Sequence, residues 1–166
     1  MSRLPSAFRL KRRRLIGALF SSRHRALGEE SRNATQSKTR GTVRVLYRFA
    51  DRESSGSSAP YQIGFSASKK VKRAVDRNRI KRLLRVAFQH MRPKFDDLPV
   101  LTDQTLSIMV LFRGAGRSVE NRVLEDATKA LERVADHILV QLSDPALFTG
   151  VNKRSSGSND ARTRET

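Results

Sequence analysis

The stretch that most constrains this chain runs from Ser66 to Pro93, SASKKVKRAVDRNRIKRLLRVAFQHMRP. Within it Ile80, Leu83, Leu84, Ala87, Phe88 and Met91 recur at spacings of three and four residues, one apolar stripe on a helix of about 3.6 residues per turn. The opposite side of that helix carries Asn78, Arg82, Arg85 and Gln89, with Arg79 and Lys81 on its flanks. Between Lys69 and Arg85 stand nine basic side chains and one acid, Asp76. A merely solvated helix face gains from alternating signs at i,i+4, and this one forgoes that gain. The segment must therefore cover a core on one side and present unneutralised charge on the other, with the compensating charge expected from a partner.

The charge is also unevenly placed along the chain. The 166 residues carry a formal net charge of +18. Residues 1–95 hold 25 Lys or Arg against 5 Asp or Glu, whereas residues 96–166 hold 9 against 11. A cationic excess this localised points to a polyanion, nucleic acid or an acidic membrane surface. Without cysteine the chain has no disulfide framework and no thiolate metal site. Leu15 to Phe20 is too short for a signal-peptide core, and no run approaches the ~18 apolar residues that read as a membrane span. The expected location is cytoplasmic, with no membrane partner. An apolar share of 37% predicts an ordered core smaller than the full length.

The periodicities predict a single α+β domain over residues 9–142, between a flexible N-terminus at 1–8 and a disordered tail at 143–166. Leu15, Ile16, Leu19 and Phe20 fit a short helix entered through Lys11 to Arg14. Residues 21–41 read as a long irregular connection with room for one short strand. Thr42 to Ala50 alternates with a period of two, a strand, and Tyr61 to Ala67 reads as its hairpin partner across the loop 51–59. The basic helix is expected over roughly 72–91, ended with the help of Pro93. Leu106 to Phe112, LSIMVLF, reads as a strand covered on both faces. A last helix runs from Val119 to about Leu142, with Ser118 as N-cap. A small mixed sheet under two long helices results, with strand 61–67, the basic helix and strand 106–112 forming a β-α-β crossover.

An active site made by protein alone has little support. No phosphate-binding glycine loop, HExxH or nucleophile signature occurs, and His24, His90 and His137 lie in separate segments. The acids Asp96, Asp97 and Asp103 could in principle bind Mg²⁺, but Asp-rich loops are ordinary turn chemistry. Guanidinium groups and an amide on one helix face, by contrast, can grip phosphates and reach 2′-hydroxyls or base edges. Phe20, Tyr47, Phe49 and Phe65 are candidates for stacking on unpaired bases, although core packing is the commoner role of any single aromatic. Tyr47, between Arg44 and Arg48, best suits a wet, charged groove.

At these residues the chain resembles a known family. GFSASKKVKRAVDRNRIKRLLRVAF is similar to the signature of the bacterial ribonuclease P protein subunit, whose hallmark is an Arg-Asn-Arg core, here Arg77-Asn78-Arg79. FRLKRRRLIGALF, VRVLYRF and IMVLFRGAGRSVENRVLEDATKAL extend the likeness over roughly residues 8–142. The resemblance implies a ribosomal-protein-like α+β fold with a left-handed β-α-β crossover, and a subunit that binds a catalytic RNA and the 5′ leader of precursor tRNA. The RNA would perform the hydrolysis with Mg²⁺ that it mainly holds itself, none being bound by the protein alone, and no protein partner would be obligatory. Carried over, Lys69, Lys70, Arg73, Arg77, Asn78, Arg79, Lys81, Arg82 and Arg85 face RNA, while Phe20 and Tyr47 line the leader cleft between the sheet and the N-terminal helix. The family often has Gly-Asn where this chain has Lys72-Arg73, and an aromatic where it has Ile16. A ribosomal or other structural RNA-binding protein is the alternative on the same charge logic. A nuclease acting alone and a DNA-binding regulator are weaker readings.

Overall fold

A computed structural model of the chain describes residues 4–21, 33–99, 101–115 and 120–143. A 3-10 turn at Ser6–Phe8 leads into α1 (Arg13–Phe20). Strands β1 (Gln36–Arg40) and β2 (Val43–Asp51), one helical turn at Arg52–Ser55, and β3 (Tyr61–Ala67) come next. They are followed by α2 (Ala74–Asp96), β4 (Gln104–Phe112) and α3 (Glu120–Ser143).

The four strands form one sheet in the order β1-β2-β4-β3. β2 is antiparallel to both β1 and β4, whereas β3 runs parallel to β4, so β3-α2-β4 is a β-α-β crossover. One expectation is corrected: β3 is not the hairpin partner of β2, because β4 lies between them. The reason is burial. β4 is buried without a break from Thr105 to Val110, and a strand apolar on both faces is best covered in the middle of a sheet. The short strand allowed for in 21–41 is β1, which turns into β2 through Gly41 and Thr42.

Strand alternation sorts the sheet into two faces. Val43, Val45, Tyr47 and Phe49 of β2 join Leu106, Ile108, Val110 and Phe112 of β4 and Tyr61 and Ile63 of β3 in the main core. Both long helices pack on that side: Ile80, Leu84, Ala87, Phe88 and Met91 from α2, and Ala127, Leu131, Val134 and Ile138 from α3. The apolar stripe of the basic helix is thus its core-facing side. The other face carries Leu46, Ala50 and Met109, covered by Leu10, Leu15 and Leu19 from the N-terminal segment and α1.

Three further differences have local causes. α2 passes through Pro93 and ends at Asp96, because Phe95 and Leu98 continue the stripe and are 1% and 8% exposed. Burying such a phenylalanine is worth ~1.5–3 kcal/mol, comparable to the ~3 kcal/mol penalty of an internal proline. The segment read as a loose N-terminus is packed from Leu4 onward: the Phe8 ring lies 4.9 Å from that of Tyr61, and the Arg92 guanidinium lies 5.6 Å above Phe8. Within the loop 51–59, Ser55 is buried and its hydroxyl donates to the Arg52 carbonyl at 2.7 Å, closing a helical turn. Ser118 and the tail beyond 143 lie outside the described residues.

Candidate nucleic-acid interface

The cationic face begins in the turn between β3 and α2. Ser68 organises it: its hydroxyl accepts the Lys70 N–H at 3.1 Å and its carbonyl accepts the Val71 N–H at 3.1 Å. Val71, 1% exposed, pins the turn to the core, which leaves Lys69 and Lys70 exposed at its tip. Arg73, also exposed, is the N-cap of α2 in an extended conformation. Arg77 reaches back to donate to the carbonyls of Val71 at 2.8 Å and Lys72 at 2.7 Å. One residue of the Arg-Asn-Arg core therefore builds the platform as well as carrying charge.

Along α2, Asn78, Arg79, Arg82 and Arg85 are exposed, and Arg77 and Lys81 are half-buried. Lys69, Lys70, Arg73, Arg77, Lys81, Arg82 and Arg85 have no ion pair among the described residues. At the far end of α2 and on α3, by contrast, cations are paired: Arg92 with Asp96, Lys94 with Glu132 and Asp136, and Lys129 with Glu125. Seven cations on one turn and helix face thus have no carboxylate partner among the described residues, Arg77 alone spending its donors on backbone carbonyls of the turn. Their mutual repulsion near the positive end of the helix dipole is relieved when anions bind.

The aromatic candidates divide. Phe20, on the last turn of α1, is 44% exposed. Tyr47 is not in a wet groove, which corrects the expectation for it: it is 1% exposed, and its hydroxyl meets His137 Nδ1 of α3 at 2.9 Å. Arg44 and Arg48, adjacent in sequence, belong to the opposite face of the sheet. There burial holds the Arg48 guanidinium below its ordinary pKa, opposed by the nearby Asp51 charge. Phe49 is in the main core. Phe65 is half-buried, with the Arg85 guanidinium 5.9 Å above its ring.

Among the described residues neither the acids nor the histidines assemble into a catalytic set. Asp96 accepts the Tyr61 hydroxyl at 2.6 Å and pairs with Arg92. Among the described residues no three of His, Asp and Glu come together as metal ligands. No helix among them is long and apolar enough to cross a membrane. Sequence reasoning did not bring Arg9 and Lys11 beside α2, yet they line one groove with Arg82 and Arg85. The only signal was their position around Leu10, whose side chain is buried.

This arrangement has known counterparts. A family profile described as Ribonuclease P matches residues 4–135. Among curated proteins none matches significantly. The RNase P protein from Staphylococcus aureus is 17% identical with a TM-score of 0.52, over 76% of this chain and 94% of that one. The RNase P protein from Thermotoga maritima is 21% identical with a TM-score of 0.50, over 75% and 96%. At such identities the structures establish a shared fold, and the family match carries the assignment. The chain belongs to the ribonuclease P protein family, the RNA-binding protein subunits of the ribonucleoprotein that matures tRNA 5′ ends.

Proposed function

We propose that the Lys69–Arg85 face docks this subunit on the ribonuclease P RNA, and that the subunit also holds the single-stranded 5′ leader of precursor tRNA. Phosphodiester hydrolysis then belongs to the RNA, with Mg²⁺ bound mainly by the RNA. The protein lowers the Mg²⁺ and salt cost of keeping two polyanions together, in the cytoplasm and without an obligatory protein partner. The observation that carries this reading is the set of seven turn and helix cations without a carboxylate partner. Lys69, Lys70 and Arg73 grip phosphates at the head of α2, and Asn78, Arg79, Lys81, Arg82 and Arg85 continue the contact along it. Arg77 holds the turn in shape. Phe20 is the remaining aromatic for the leader.

The test is reconstitution. Precursor tRNA, a bacterial ribonuclease P RNA and low Mg²⁺ are combined with and without the full chain, and leader release is followed. Faster cleavage with the protein, and none by the protein alone, is the expected result. Cleavage by the protein alone, or no acceleration, overturns the reading. A structural RNA-binding role would bind precursor and mature tRNA complexes alike, whereas the proposed role favours the precursor.

A further inference from the structure

We propose that the groove between the N-terminal segment and α2 is a second RNA-contact site, which receives one unpaired nucleotide with its base inward. This inference rests on the RNA-binding reading and adds to it a site separate from α1 and Phe20. Arg9 forms a parallel bridge with Ile63, and the Leu10 N–H donates to the Ile63 carbonyl at 3.0 Å. The segment so extends the sheet beyond the open edge of β3. α2 leans over the same edge, and between them lies a hollow of about 520 Å³.

Two chemistries dominate its lining, with the Gln89 amide as its one uncharged polar side chain. Leu10, Phe65, Val86 and Phe88 make apolar walls, whereas Arg9, Lys11, Arg82 and Arg85 supply four cations. Among the described residues no carboxylate lines the hollow. A metal ion would meet only repulsion there. A purely apolar partner would strip water from four charges without compensation. A small inorganic anion would leave the apolar walls unused. A nucleotide matches both halves, since its base has a π-face for the walls and its phosphates meet the cations. Arg85, stacked 5.9 Å above Phe65, joins ring and guanidinium into one stacking platform. A paired base cannot turn inward without leaving its helix, so the site selects single-stranded or bulged RNA.

Photocrosslinking of the full chain to single-stranded RNA containing 4-thiouridine tests this without any variant. The expected result is crosslinks in β3 at Phe65 or in α2 at Val86. Crosslinks confined to other regions overturn the site. A second measurement compares an oligouridine with the ribose-phosphate oligomer of equal length that lacks bases. Base stacking predicts roughly ten-fold tighter binding of the oligouridine. Filling the hollow with Val86→Trp should remove much of that difference and leave the salt slope unchanged, whereas Phe20→Ala should leave the hollow's share in place. A base-dependent difference that survives in full in folded Val86→Trp overturns the proposal. If crosslinks are missing while the protein still accelerates leader release, this inference alone fails; loss of acceleration in the wild-type protein is failure of the functional reading.

Discussion

Asp126, on α3, holds the turn between β1 and β2: its carboxylate accepts the Thr42 backbone N–H at 3.0 Å and the Thr42 hydroxyl at 3.3 Å. Gly41, beside it, has φ +50°, and a Cβ there would fall 2.1 Å from the same carboxylate. Asp126 is 8% exposed, so the bond is nearly dry. Asp126→Ala should therefore cost about 1–3 kcal/mol by leaving the turn N–H without its acceptor. Gly41→Ala should cost at least as much, from the left-handed backbone and the overlap together. Combined, the two should cost less than their sum, because the alanine at 126 clears the overlap. Urea unfolding of the three variants measures this, and strict additivity would show that the overlap is not the cause.

Arg77 and Arg82 share a helix and a charge but should fail differently when replaced. The Arg82 side chain has no hydrogen bond or ion pair among the described residues, so Arg82→Ala should leave stability within ~0.5 kcal/mol. It should reduce the log–log salt slope of RNA binding by about 0.7–0.9, one phosphate's worth. Arg77 donates to Val71 and Lys72, so Arg77→Ala should also destabilise the chain, by about 1 kcal/mol, and loosen the Lys69–Lys70 tip. Salt-dependent filter binding beside thermal unfolding separates the two effects. Equal stability losses would remove the structural role given to Arg77.

How far the sequence carried this fold depended on whether a signal was local. The stripe from Ile80 to Met91 spans several turns, so its period identified both the helix and its buried side. The unbroken run in β4 announced a strand covered on both faces. Partner choice was harder: residues 51–60 suit a hairpin, and nothing in them says that a strand over 40 residues later inserts between β2 and β3. Tyr47 has basic neighbours in sequence that are not its neighbours in space. Arg44 and Arg48 stand at odd offsets from it and so on the other face, whereas Val45 and Phe49, at even offsets, already shared its side of the core. The exposed cations were legible because charge excess is additive along a helix face. The groove beside Arg9 was not, because a parallel bridge to Ile63 leaves no pattern in sequence.

Tyr61 gives the protein an alkaline limit. Burial, then its hydrogen bond to Asp96 and the charge of that carboxylate, push the Tyr61 phenol well above its ordinary value of 10.0. The unfolded chain therefore releases this proton first. Stability from the neutral phenol is complete below about pH 10 and is lost as the pH rises further. The denaturation midpoint should hold up to about pH 10 and fall as the pH is raised above it, and Tyr61→Phe should flatten that fall while lowering stability at the neutral end. An identical pH profile in the variant would assign the alkaline loss to other groups.

Tyr47 and Phe20 finally offer a clean separation of core from cleft. Tyr47→Phe loses the hydroxyl contact with His137, for about 1 kcal/mol, and Tyr47→Ala empties a fully buried site, for about 3–5 kcal/mol. Because the ring faces α3 and not solvent, the folded Tyr47→Phe protein should bind precursor and mature tRNA complexes as the wild type does. Phe20→Ala removes a ring that is 44% exposed and should cost little stability. It should weaken precursor tRNA binding by roughly ten-fold through lost stacking, with mature tRNA unaffected. Affinity for both tRNAs, measured with the reconstituted ribonucleoprotein, decides the matter. A leader-dependent loss in Tyr47→Phe would mean that the β2 ring reaches the leader after all, and an unchanged Phe20→Ala would leave the leader to other residues.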